Sequence, residues 1–125
     1  MRFLAVVVLA AVTGCGASKA ASGPIAFGIV GGNVIPYRVT IEPSGHVRLT
    51  GSSRTVRRRI APARVRGLRR EIQSARLASR RCPGVLPDVA GQYVRVGGRT
   101  VTVHGDCEAG FRRVWSDLTQ AVALR

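Results

Sequence analysis

Acidic, catalytic and redox-active residues are scarce in this chain of 125 residues. It has six Asp and Glu against 20 Lys and Arg, which gives a net charge of +14, and it has only two His and three Cys. So few carboxylates, imidazoles and thiols leave little material for a catalytic or metal centre. We therefore expect no enzyme, no metal and no cofactor. Hydrophobic residues still make up 46% of the chain, which argues against disorder, and the length suits one small domain.

The N-terminus lacks an apolar run long enough to cross a bilayer, which takes about 20 residues. Arg2 instead precedes ten apolar residues, Phe3 to Val12. A run of this length is typical of the hydrophobic core of a signal peptide. We therefore predict export from the cytoplasm.

The end of this run predicts a lipid anchor. Val12-Thr13-Gly14-Cys15 resembles the bacterial lipobox, in which the cysteine is lipidated and becomes the first residue of the mature protein. We predict a signal peptide over 1–14, a lipidated Cys15 and a flexible tether over 15–23. The chain would then lie at the extracytoplasmic face of the cell membrane. The alternative is an ordinary secretory signal that is cleaved near Ala20 or Ala21.

Residues 24–125 are predicted to form a single α+β domain. Alternating apolar residues favour one hairpin with Ile41 opposite Val47 and Val39 opposite Leu49. Gly97-Gly98 suits the turn of a second hairpin that pairs Val94 with Val101. An apolar run over Ile25 to Val30 predicts one strand more.

Two helices are indicated by apolar residues at helical spacing. The first begins at Pro62 and carries Val65, Leu68, Ile72 and Ala75. The second has Asp106 as its expected N-cap and an apolar stripe of Phe111, Val114, Trp115, Leu118 and Val122. The fold class is therefore predicted as an antiparallel sheet of four to five strands with both helices packed on one face.

Cys82 and Cys107 are predicted to form a disulfide. Export to an oxidising compartment favours their pairing, and lipidation of Cys15 leaves an even number of thiols. The alternative is a metal site of Cys82, Cys107 and His104, which lacks a fourth ligand at a recognised spacing. Cys82-Pro83 also matches the dipeptide of haem-regulatory motifs.

Arginine is concentrated in the middle of the chain. Between Arg54 and Arg81 there are eleven arginines and one acid, Glu71. One interpretation is a solvated anion-binding surface that faces acidic lipids or wall polymers. The other is the codon bias of a GC-rich genome. Nucleic acid is not an expected partner, because the segment is exported and has no interleaved aromatics. The candidate residues are Arg57, Arg58, Arg59, Arg66, Arg69, Arg70 and Arg76.

The order of elements resembles that of emfourin-like proteins, small inhibitors of thermolysin-type metalloproteases. The residues that carry the resemblance are Gly31-Gly32, the hairpin of Tyr37 to Leu49, the helical spacing of Val65, Leu68 and Ile72, and Asp88 shortly before Tyr93-Val94-Arg95-Val96. It implies an inhibitory domain with a secreted or surface protease as partner. The lipobox, the cysteine pair and the arginine-rich helix depart from that family, so no inhibitory residue is carried over.

Two function classes follow from the sequence. The first is a lipid-anchored protein-binding module, of which a protease inhibitor is one form, with contacts through the Gly/Pro-rich loops Gly31–Pro36 and Arg80–Gly91. The second is an envelope structural or anion-binding lipoprotein that uses the arginine-rich surface.

Overall fold

The structure, a computed structural model, describes residues 23–125. The predicted signal peptide over 1–14, the lipidation site Cys15 and all but the last residue of the tether lie outside the described residues. In chain order the elements are β1 (Ile25–Val30), β2 (Tyr37–Ile41), β3 (Val47–Thr50), α1 (Pro62–Ser74), β4 (Arg80–Arg81), β5 (Gly91–Val96), β6 (Arg99–His104) and α2 (Ala109–Ala121).

The strands form one mixed sheet in the order β3-β2-β1-β5-β6-β4. Its neighbours are antiparallel except for β4, which runs parallel to β6. The predicted α+β class is confirmed, with six strands where four to five were expected. The additional strand is Arg80–Arg81, which is too short to show the alternation by which strands are recognised.

Both predicted hairpins have the expected register. Ile41 lies opposite Val47 and Val39 opposite Leu49. Val94 lies opposite Val101 in the second hairpin. The central strand β1 joins them, and Phe27 pairs with Val39 on one side and with Val94 on the other.

The helices pack on the face of the sheet that carries Phe27, Val39 and Val94, and they do so through the predicted apolar stripes. In α1, Val65 and Leu68 are buried, and α2 buries Phe111, Val114 and Leu118. The expected N-cap Asp106 is wrong: α2 begins at Ala109, with Glu108 at the N-cap position. The reason is the next residue, Cys107, which is bonded to Cys82 and holds the chain outside the helix.

The described part of the chain contains a hydrophobic core. Its buried hydrophobic side chains run from Ile25 to Val122, and the disulfide lies between these bounds. Residues 23–125 therefore contain the core, the sheet and the covalent bond that a small domain needs to fold by itself.

No helix of residues 23–125 packs on the second face of the sheet, which is called the open face below. Its residues alternate with those of the core, as the pleat of a strand requires. They include Ala26, Gly28, Arg38, Thr40, Arg48, Tyr93, Arg95, Thr100 and Thr102.

Candidate functional site

Two loops that are distant in sequence lie side by side at one end of the sheet. Residues 31–36 connect β1 to β2, and residues 82–90 connect β4 to β5. The pairing of Val30 with Gly91 brings the two loops to the same end. Asn33 Nδ2 donates a hydrogen bond to Asp88 Oδ2 at 3.3 Å, which links them directly. We call these two segments the paired loops.

Gly32 permits the close approach of the paired loops. Its φ is +66°, a left-handed conformation that favours glycine. A Cβ atom at this position would lie 2.6 Å from the Ala90 nitrogen and 2.6 Å from the Asp88 carbonyl oxygen. Any side chain at residue 32 would therefore push the loops apart.

The paired loops display the large hydrophobic side chains that are exposed among residues 23–125. Ile35 is 77% exposed and Leu86 is 65% exposed. Val34 and Val89 lie on the same loops, and Val30 ends the strand that leads into them. Clustered apolar side chains on a protein surface are typical of a site that binds another protein.

The predicted disulfide is confirmed, and it forms the base of the paired loops. Cys82 and Cys107 are bonded, with their Cα atoms 5.7 Å apart. Cys82 begins the second loop, and Cys107 comes just before α2. Arg80 Nη1 adds an ion pair with Glu108 Oε1 at 2.5 Å across the same junction. The second loop is therefore fixed to the helix layer by a covalent bond and an ion pair.

A cavity of about 780 Å³ opens beside the paired loops. Asn33, Val34 and Asp88 form its loop side, and Trp115 of α2 forms part of its opposite wall. The Trp115 ring lies edge-on to Phe27, with centroids 5.5 Å apart, and this contact holds it in place. A firmly held, half-buried aromatic wall beside an apolar patch can receive a side chain of a bound protein.

The candidate arginines lie on two successive segments of the chain. Arg57, Arg58 and Arg59 are exposed on the segment before α1, where their backbone is fixed by bonds such as Arg57 N–H to the Val122 carbonyl oxygen, 2.7 Å. Arg66, Arg70 and Arg76 are exposed on α1 or just beyond it.

Arg69 does not lie on a solvated face as predicted. It is 8% exposed, and its guanidinium donates to the Gly23 carbonyl oxygen. The reason is spacing: residue 69 comes four after the buried Val65, which places both on adjacent parts of one helix face. Arg69 therefore joins α1 to the first described residue of the chain.

Three arginines on the open face were missed in the sequence analysis. Arg38, Arg48 and Arg95 alternate with core residues of the two hairpins and lie on neighbouring rows of one surface. The alternation itself was the available signal, because it places these side chains on the face opposite the core.

The structure brings a pair of carboxyl groups together between the helices. A hydrogen bond from Glu71 to Asp117 raises the pKa of Glu71, with smaller contributions from burial and the Asp117 charge. Arg64 and Arg113 lower it in part. Burial likewise raises the pKa of Tyr37, whose ring lies 5.3 Å from the Arg54 guanidinium carbon.

Within residues 23–125, no group of three or more His, Cys, Asp or Glu side chains is arranged to hold a metal ion. The sulfur atoms of Cys82 and Cys107, two of the three ligands in the alternative metal site, are bonded to each other as a disulfide. The helices of this part of the chain are also too short and too polar to cross a membrane.

Comparison of the chain with family models, with curated proteins and with solved structures finds no match in any of the three.

Proposed function

We propose that this chain is an exported, lipid-anchored, non-enzymatic module that binds a protein at the cell surface through its paired loops. The observation that carries the proposal is the joining of residues 31–36 to residues 82–90, two adjoining loops that expose the side chains of Val34, Ile35, Leu86 and Val89. Sites on loops that a rigid scaffold holds are typical of recognition surfaces.

The arrangement supports a binding role because the loops are held before any partner arrives. The disulfide, the Asn33–Asp88 hydrogen bond and the tight contact at Gly32 each restrict the loops in the free protein. A loop that is already ordered loses less conformational entropy on binding, so more of the contact energy appears as affinity.

A secreted or surface protease is the partner class that we propose, with thermolysin-type metalloproteases as the first candidates. This choice rests on the resemblance to emfourin-like inhibitors. A preorganised loop pair on a disulfide-fixed base suits an inhibitor, because a restrained loop resists cleavage by the protease it occupies.

The test is a titration of residues 23–125 against a thermolysin-type protease with a peptide substrate, under oxidising conditions. We expect tight inhibition at a ratio of one to one. The double variant Ile35→Asp/Leu86→Asp should inhibit the protease at least tenfold more weakly, because it introduces two charges among the exposed apolar side chains. The control Ala63→Asp/Gln73→Asp adds the same charges on exposed positions of α1 and should inhibit like the wild type.

Inhibition that the loop variant retains would overturn the role of the paired loops. No inhibition at micromolar protein would remove thermolysin-type proteases from the proposal.

A further inference from the structure

We infer that a cavity on the open face, beside Gly23, binds the phosphate group of an anionic phospholipid in the membrane that holds the anchor. The cavity has a volume of about 420 Å³. Its side chains with polar groups are Arg38, Thr40 and Arg95, and the turn Gly97-Gly98 closes one end.

The sheet register builds the cavity. Ala26 of the central strand pairs with Thr40 on one side and with Arg95 on the other. Strands β2 and β5, which flank β1, are therefore about 10 Å apart, a distance of two strand spacings. Between them, Ala26 of β1 contributes only a methyl group. This leaves a trough in which a small ligand can lie between the two guanidinium groups.

The charge of the cavity selects an anion. No Asp or Glu is among its lining residues. Glu42, on the turn after β2, is held by Arg48 at 2.8 Å. Arg38 Nε donates to Tyr93 Oη at 3.2 Å, which orients this guanidinium and leaves its terminal nitrogens as donors. Two guanidinium groups and a hydroxyl match the several acceptor oxygens of a phosphate group.

The position of the cavity identifies the source of the phosphate. Gly23 lines the cavity and is fixed there by Arg69. Cys15 is eight residues earlier, so the tether spans at most about 28 Å. The anionic headgroups of the bilayer are thus the phosphates within reach. This step rests on the anchor in the proposed function.

Headgroup binding at this site also leaves the paired loops accessible. Strand β1 runs from the cavity at Ile25 to the loops after Val30. Its six residues cover about 20 Å. A phosphate bound near Ala26 therefore holds the end of the sheet that is distant from the loops, so the loops extend away from the membrane.

The test measures binding of residues 23–125, which have no lipid, to vesicles of phosphatidylcholine with and without phosphatidylglycerol. We expect binding only to vesicles that contain phosphatidylglycerol, and we expect it to weaken as salt rises. The variant Arg38→Gln/Arg95→Gln should bind about 25-fold more weakly, about fivefold for each arginine at a membrane surface. The control Arg112→Gln/Arg113→Gln removes the same charge from exposed positions of α2, on the opposite face of the sheet, and should lose less than about threefold.

Thermal unfolding verifies that each variant is folded. If Arg38→Gln, which loses its bond to Tyr93, does not fold, Arg95→Gln alone carries the test with an expected loss of about fivefold. Glycerol 3-phosphate should compete with the vesicles for the wild type.

Equal losses in the two double variants would overturn the cavity and assign the binding to general positive charge. Binding to a soluble anionic polymer without binding to vesicles would also overturn it. These outcomes are independent of the anchor and of the paired loops, because the tested protein has no lipid and its loops are unchanged.

Discussion

The carboxyl groups of Glu71, on α1, and Asp117, on α2, share a hydrogen bond across the helix layer. Only a protonated carboxyl can donate such a bond, so the bond raises the pKa of Glu71 above its usual 4.5. The folded protein therefore binds this proton more tightly than the unfolded chain. The stabilising contribution is complete below about pH 4.5 and is lost as the pH rises through the folded-state pKa.

Glu71→Gln should make the protein more stable than the wild type at neutral pH. The glutamine amide can donate to Asp117 at every pH and carries no charge to repel it. Chemical denaturation of both proteins across the acidic and neutral range measures the difference. The difference in the free energy of unfolding should widen as the pH rises above about 4.5. Parallel stability curves would contradict the shared proton.

Replacing both cysteines of the Cys82–Cys107 disulfide by alanine should lower the free energy of unfolding by about 3 kcal/mol, the value expected for a closed loop of this order. The bond closes a loop between residues 25 apart in sequence. Urea denaturation measures the loss, and the wild type in a reducing buffer should show a similar one. A loss below about 1 kcal/mol would show that the ion pair and core hold this junction without the bond.

Gly32→Ala and Gly31→Ala form a matched pair that tests the contact between the loops. Both positions have a positive φ, but only Gly32 has backbone atoms of the other loop within 3 Å of a Cβ. Each substitution should cost about 1 kcal/mol of backbone strain. Gly32→Ala should cost about 1–3 kcal/mol more and weaken inhibition, because the loops must separate. Equal effects of the two substitutions would mean that the loops adjust freely.

Ala123→Gly should stabilise the protein by about 0.5–1 kcal/mol. Ala123 follows α2 with a φ of +50°, in the left-handed region that glycine adopts without strain. Arg76, just after α1, also has a left-handed backbone conformation, with a φ of +48°. Thermal unfolding of Ala123→Gly measures the gain, and Ala121→Gly, at the last residue of the helix, should instead destabilise.

Cys15→Ala should release the protein from the membrane into the medium, because the predicted lipidation site is removed. Cell fractionation followed by detection in membrane and medium measures the distribution. A control variant, Ser18→Ala, changes the neighbouring tether and should remain in the membrane. Unchanged retention of Cys15→Ala would overturn the anchor.

The local parts of the fold could be predicted from the sequence because their signals are local. The register of Val94 with Val101 follows from a two-residue turn and alternation, and the start of α1 follows from Pro62. The strand at Arg80–Arg81 was missed because its position depends on β6 rather than on its own residues.

The candidate site could be predicted only in pieces. Both loops were recognisable by their glycines and prolines, but their contact depends on the pairing of β1 with β5, strands that are distant in sequence. The burial of Arg69 follows from its spacing to Val65, but its hydrogen bond to Gly23 depends on where the chain enters the sheet, which no helical pattern contains.

The edges of the sheet affect how closely copies of this protein can lie beside each other. An unpaired edge strand is a template for strand addition by a second molecule, which leads to fibrils. Here one edge strand, β4, has only two residues, both arginines, and the other, β3, is covered at Val47, whose N–H donates to the Arg58 carbonyl oxygen. Many copies can therefore stand close together on one surface without joining their sheets, and the positive charges that cover both edges keep neighbours apart.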